Sequence, residues 1–175
     1  MQVQFLPVAL ISLRAHNFFR FLKRKMIMGI AKYLDPRLIL FLEVETRDEA
    51  IDQLIHLLHE QGKLADEVAF RKSIYQREEI VSTGIGVGVA VPHSKMQELQ
   101  EFFIAVGIQK KKGIEWNALD KAPVRIVFMI GGPDNQQTEY LHILSMLTSA
   151  IKEVELRKKL LKAVSPHEVF QLFLC

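Results

Sequence analysis

Residues 77–95 read REEIVSTGIGVGVAVPHSK, and the reading of this stretch decides the rest. Gly84, Gly86 and Gly88 alternate with branched residues, and glycine allows both positive φ and close backbone approach. Val87, Val89 and Val91 add β-branched character, so the spacing predicts a strand over 87–91. Pro92 closes that strand, because proline cannot donate to a ladder. His93 is then held at a rigid strand end, which is how a nucleophile would be mounted.

Upstream of this stretch the pattern is helical. Residues 30–34 read as a short helix ending before Pro36, and 38–42 as a short strand. Over 48–61 the apolar residues Ala50, Ile51, Leu54, Leu57 and Leu58 keep helical spacing, with Thr46 and Glu49 forming a capping box and Gly62 ending the helix. Residues 66–78 repeat the arrangement, with Val68, Ala69, Phe70 and Ile74 expected inside. Downstream, 102–108 and 124–130 are β-rich apolar runs expected to be adjacent central strands, the second broken at Gly131-Gly132-Pro133. A lysine turn at 110–112 leads to a short strand at 114–116. Helices follow over 138–152 and 154–163, and a last one starts with Ser165 as cap and Pro166 in its first position. The order implies a single α/β domain, a central mixed β-sheet flanked by helices, over residues 29–175.

Of 175 residues, 25% are charged and 49% apolar, ordinary for a globular domain. Cys175 is the single cysteine, so no internal disulfide or thiolate zinc site can form and a reducing, cytoplasmic setting is expected. Residues 1–28 hold five cationic and no acidic side chains. They therefore carry +5 against +3 for the whole chain, leaving −2 for the remainder. That remainder is mildly acidic, which argues against nucleic-acid binding. In 1–28 the charges follow the apolar run, unlike a secretory signal, and the run is too short to cross a bilayer. The extension suits a membrane surface or a partner groove; alternatively, translation starts at Met26 or Met28.

Six histidines need sorting. His56 and His59 share a helix at i, i+3 without the HExxH pattern or a third ligand, and read as surface residues rather than a metal site. His142 falls at the edge of the apolar arc of its helix, a boundary position by its residues alone. His93 lies beside groups suited to an anion: Arg77 for bidentate oxygen contacts, the Ser82 and Thr83 hydroxyls, and the amides of Gly84 and Gly86 as a nest. A nucleotide loop fits poorly, since GxGxxG would need glycine at Val89 and no Walker lysine-serine pair is present.

The pattern R-E-x-x-x-S-T-G-x-G-x-G-x-A-x-P-H, met here by Arg77, Glu78, Ser82, Thr83, Gly84, Gly86, Gly88, Ala90, Pro92 and His93, resembles the signature of the enzyme IIA domains of the fructose–mannitol–nitrogen class of the bacterial phosphoenolpyruvate-dependent phosphotransferase system. The likeness runs on through Gly113-Ile114, residues 123–130 and Tyr140-Leu141-His142. It implies a phosphoryl carrier whose signature histidine, His93, receives the group from the phosphocarrier protein HPr or its nitrogen-type paralogue. His142 would be the second active-site histidine, and Arg77 would neutralise the phosphoryl charge. No cofactor or metal is implied. Nitrogen-type members are free-standing domains that signal phosphorylation state to target proteins. With no IIB, IIC or transmembrane segment in these residues, that kind is expected first; the alternative is a fructose- or mannitol-type sugar-transport IIA that passes phosphate to a IIB domain. The residues Phe102, Phe103 and the 96–99 loop are candidate partner contacts; the alternative is that they are core or the lead-in to a strand.

Overall fold

The computed structural model describes residues 27–174; the expectations placed on residues 1–26, including nearly all of the basic extension, and on Cys175 lie outside them. A helical turn at 27–30 runs into a 3-10 turn, Ala31–Tyr33. The strands are β1 (Leu34–Leu42), β2 (Gly84–Gly86), β3 (Val89–Ala90), β4 (His93–Lys95), β5 (Phe103–Gln109) and β6 (Ile126–Gly132). The helices are α1 (Arg47–Glu60), α2 (Glu67–Ile80), α3 (Gln137–Lys152), α4 (Val154–Lys162) and α5 (Pro166–Gln171).

The strands form one mixed sheet in the order β1-β5-β6-β3-β2, with β4 also on β6. The expected central pair is present: β5 and β6 run antiparallel from Phe103 opposite Gly131 to Ile108 opposite Ile126. β1 lies parallel to β5, and β3 and β4 lie parallel to β6. Period-two alternation divides the core between the two faces of the sheet. Ile104, Val106, Ile108, Ile126, Phe128 and Ile130 pack under α3, α4 and α5. Phe103, Ala105, Val127 and Met129 pack under α1 and α2. Burying side chains of this size contributes roughly 1.5–3 kcal/mol each.

Local signals hold the helices in place. Thr46 accepts from the Glu49 amide and the Glu49 side chain reaches back, completing the capping box of α1. Asp66 caps α2, and Ser165 caps α5 with Pro166 in its first turn.

Several boundaries differ from the sequence reading, each for a physical reason. β1 begins at Leu34 and tolerates Pro36, because it is an edge strand with an irregularity between Leu34 and Ile39. Val87 is not in a strand. Gly86, Val87 and Gly88 have φ of 92°, 52° and 76°, so the segment is a tight β2–β3 turn, and His93 opens β4 after it. Residues 114–116 supply only an isolated bridge, Ile114 to Val124. On α2, Val68 is 72% exposed; Phe70, Ile74 and Glu78 form the buried row instead. Phe102, Phe103 and Leu99 are buried in the core rather than offered to a partner.

β6 also runs through Gly131 and Gly132 rather than breaking there. A Cβ at Gly131 would lie 2.2 Å from the Phe103 ring and one at Gly132 1.9 Å from the Phe102 ring, so the glycines make room for two phenylalanines. Gly132→Ala should therefore destabilise the fold by about 1–3 kcal/mol as an overpacked core does. In thermal unfolding, adding Phe102→Ala to Gly132→Ala should cost less than Phe102→Ala alone predicts, because the clash is gone.

Candidate functional site

The site is assembled by the last turn of α2. Glu78 lies four and eight residues after Ile74 and Phe70, so helical geometry carries its carboxylate inward with them. Only 4% exposed, it accepts from the Thr83 amide at 3.0 Å, from the Thr83 hydroxyl at 2.5 Å and from the Trp116 indole at 3.0 Å. Thr83 in turn accepts the Val91 amide at 3.0 Å through its carbonyl. The Val91 carbonyl faces Nδ1 of His93 at 2.9 Å. Ser94 adds a second tie, donating to Ser73 of α2 at 2.6 Å. One buried carboxylate thus links the helix that carries Arg77 to the strand that carries His93.

A carbonyl can only accept, so Nδ1 of His93 bears the ring proton and Nε2 keeps its lone pair. Nε of Arg77 donates to that lone pair at 3.1 Å, while Nη1 of Arg77 donates to the carbonyl of Val81, at the end of α2, 3.1 Å away. Burial holds the His93 pKa below its ordinary value of 6.5; the Arg77 charge lowers it further, and the hydrogen bond to Val91 opposes both. Half-buried His93 is therefore a neutral imidazole near pH 7, with its nucleophilic nitrogen facing a guanidinium.

Of the residues singled out in the sequence, the structure brings Arg77 to His93 and gives the others different work. The Ser82 hydroxyl donates to the Trp116 carbonyl at 2.6 Å and accepts the Gly84 amide at 3.1 Å. The Thr83 hydroxyl is taken by Glu78. Gly84 is needed for packing, since a Cβ there would lie 2.9 Å from Ala118. Beside Gly86 stands a resident anion: Asp120 accepts the Val87 amide at 2.7 Å, and a Cβ on Gly86 would lie 3.1 Å from it. Ser82, Thr83, Gly84 and Gly86 therefore shape and anchor the loop, with the Ser82 and Thr83 hydroxyls and the Thr83 and Gly84 amides bonded within the protein. His142 is exposed on α3. It lies two residues after Tyr140, a spacing that does not share a helix face. Tyr140 is the residue turned inward, its ring 5.6 Å from that of His93 and 6.4 Å from that of Phe102. Lys95 completes the surroundings, its ammonium 4.9 Å from the Tyr140 ring centroid.

The chain matches, over residues 32–174, the family model described as "Phosphoenolpyruvate-dependent sugar phosphotransferase system, EIIA 2". It belongs to that family. EIIA domains are phosphotransfer components of the system. A fructose-specific EIIABC component of Bacillus subtilis is 35% identical over 146 residues, 83% of this chain but 23% of that protein; the chain thus spans under a quarter of this relative. The nitrogen regulatory protein of Escherichia coli is 30% identical over 128 residues, covering 73% of this chain and 78% of that one. Among solved structures, the nitrogen regulatory protein IIA-Ntr of Neisseria meningitidis superposes with a TM-score of 0.76 at 26% identity, over 82% of this chain and 98% of that one.

Glu78, Trp116 and Tyr140 belong to the cluster around Arg77 and His93, and the sequence reading did not assign them to it. Two had a signal: Glu78 continues the four-residue apolar row of α2, and Tyr140 lies three and seven residues before buried Ile143 and Leu147. His56 and His59 serve locally. Nδ1 of His59 faces the Leu64 carbonyl at 3.0 Å, and His56 lies 3.5 Å from Glu60 and 3.9 Å from Glu67.

Two outcomes follow from this geometry. Glu78→Ala orphans three donors in the interior at a cost of about 1–3 kcal/mol each, so it should lower the midpoint of chemical unfolding strongly, with Glu78→Gln intermediate. His93 should titrate by NMR below 6.5, and Arg77→Ala should move its midpoint up part of the way, since burial remains. Because the folded state takes up this proton less readily, the stability linked to His93 is complete above the unfolded histidine value and is lost as pH falls through the lowered one.

Proposed function

We propose that this EIIA domain carries a phosphoryl group on Nε2 of His93, received from the histidine phosphocarrier HPr or its nitrogen-type paralogue. The single observation that carries the reading is the fixed tautomer: Nδ1–H bonded to the Val91 carbonyl and Nε2 bare except for the Arg77 donor. In the transfer, the Nε2 lone pair forms the new N–P bond as the donor histidine's P–N bond breaks. The electron pair of the broken bond returns to the donor's ring nitrogen. Nδ1 keeps its proton on Val91, whose carbonyl steadies the positive charge the ring acquires. Arg77 gives up its bond to nitrogen and turns its N–H groups to the phosphoryl oxygens, an exchange for which the guanidinium fork is suited. Charge-assisted bonds of this kind contribute roughly 1.5–3 kcal/mol each, enough to hold the group without trapping it.

A protein donor suits the surroundings. The cavity of about 440 Å³ by Lys63, Phe70, Met96 and Leu99 has no motif residue in its lining. Around the segment from Arg77 to His93, by contrast, Ile80, Val81, Ile85, Val87 and Leu119 are exposed apolar side chains. Such a rim favours a partner surface over a small substrate. No helix among the described residues is long and apolar enough to cross a membrane.

Within this role we favour the nitrogen-regulatory kind, which reports phosphorylation state to protein targets, on the TM-score of 0.76 to the Neisseria IIA-Ntr. The 35% identity to a fructose-specific component favours the second reading, a sugar-transport IIA that passes the group to a IIB domain. Incubation with phosphoenolpyruvate, enzyme I and HPr should give acid-labile, base-stable label on nitrogen, absent in His93→Ala, with NMR assigning it to Nε2. Label persisting in His93→Ala would sink the site. Growth on one sugar that depends on the protein, with transfer to a IIB domain, would select the second reading; target binding that changes on phosphorylation would select the first.

A further inference from the structure

Resting on that reading of His93, we infer that Tyr140 is a catalytic residue of this site, its phenol O–H donating to the phosphoryl group on Nε2. Three observations place the phenol. Its ring meets the imidazole at 5.6 Å between centroids and 46° between planes, a tilted contact. Arg77, which is hydrogen-bonded to Nε2, also acts electrostatically on the phenol, so imidazole and phenol share the field of one guanidinium. The ring itself is fixed: it is 7% exposed, stacked on Phe102 at 6.4 Å and covered by the Lys95 ammonium at 4.9 Å.

The phenol is also chemically prepared to donate. Burial raises its pKa above 10, so it keeps its proton through the neutral range; the Arg77 charge opposes this without being the larger effect. Among the described residues its hydroxyl has no hydrogen-bond partner, although Tyr33, one face away, donates to Glu139. A phosphoryl group projecting from Nε2 would bring acceptor oxygens into the gap between imidazole, guanidinium and phenol. Arg77 would then bind from one side and Tyr140 from another, with Lys95 behind the Tyr140 ring. The exposed His142 lies two positions further on, off the helix face that carries Tyr140.

The test separates the hydroxyl from the ring. Tyr140→Phe keeps the stacking on Phe102, the cation contact and the packing on His93, and removes only the donor. Isotope-labelled wild type and Tyr140→Phe are mixed with a limiting pool of phosphoryl groups shared through catalytic HPr, and their occupancies at equilibrium are read by intact mass. Because the readout is an equilibrium, it is blind to how fast HPr docks. Loss of one charge-assisted bond should shift the partition about tenfold towards wild type, with equal thermal stability of the two unphosphorylated proteins. Equal occupancy with wild type fully labelled would overturn the role of Tyr140 and leave the His93 reading intact. A tenfold shift matched by a fall in melting temperature of the unphosphorylated variant would also overturn it, since the ring's packing would then be the cause. Wild type that takes no label at all would refute the His93 reading, and this inference with it.

Discussion

Glu78 places a carboxylate on the apolar row of α2, where it meets the Thr83 amide, the Thr83 hydroxyl and the Trp116 indole. A buried carboxylate without partners would be among the costliest groups a core can hold. With three donors converging on it, the same group becomes a strong and directional anchor. Its position in the chain is what gives it reach. Arg77 is its neighbour, and Thr83 passes the constraint through Val91 to the ring of His93. The separation of 3.1 Å between guanidinium and imidazole is therefore set by a core interaction, not by the flexible arginine stem alone. Functional side chains held this way lose little freedom when they act.

The loop between Glu78 and His93 must turn twice in a few residues, and this explains its composition. Three successive positive φ values at Gly86, Val87 and Gly88 fold β2 back on β3, so that β3 can pair with β6 and direct β4 along it. Val87 is β-branched, and holding it at φ 52° costs on the order of 1–3 kcal/mol. Asp120 offsets that strain by accepting the Val87 amide, and the Gly84 carbonyl receives the Leu119 amide from the same neighbouring loop at 3.4 Å. The result leaves the apolar side chains of Ile85, Val87 and Leu119 exposed.

Much of the fold was legible in the sequence because it rests on periodicity and caps. The helices of α1 and α5 began where Thr46 and Ser165 said they would, and β5 and β6 pair as two apolar runs should. What misled were residues whose role depends on a distant partner. Gly131 and Gly132 look like breakers until Phe102 and Phe103 are seen to need their space. Ser82, Thr83 and the glycines look like an anion nest, because nothing local reveals that Trp116, Glu78, Ala118 and Asp120 already occupy them. The pairing of Arg77 with His93 was readable, since the motif puts both on one short connection. That Tyr140 is buried and His142 exposed is a matter of helix phase, which a reading weighted towards histidine passed over.

On the proposed reading, Arg77 does opposite things to the two electrophiles that compete for the same lone pair. A proton arriving at Nε2 creates an imidazolium beside a guanidinium in a half-buried place, and both burial and the Arg77 charge resist it. A phosphoryl group also leaves positive charge on the ring, but it brings two negative charges of its own, which the guanidinium attracts. The local field thus disfavours protonation and favours phosphorylation at one atom. The second ring nitrogen shares the effect: with its proton committed to the Val91 carbonyl, it cannot take the phosphoryl group, so the choice of nitrogen and the choice of electrophile are made by the same small set of bonds. Selectivity of this kind requires no enclosed pocket. It lets the imidazole remain open to a partner surface, as a group that must receive a phosphoryl and later release it has to be.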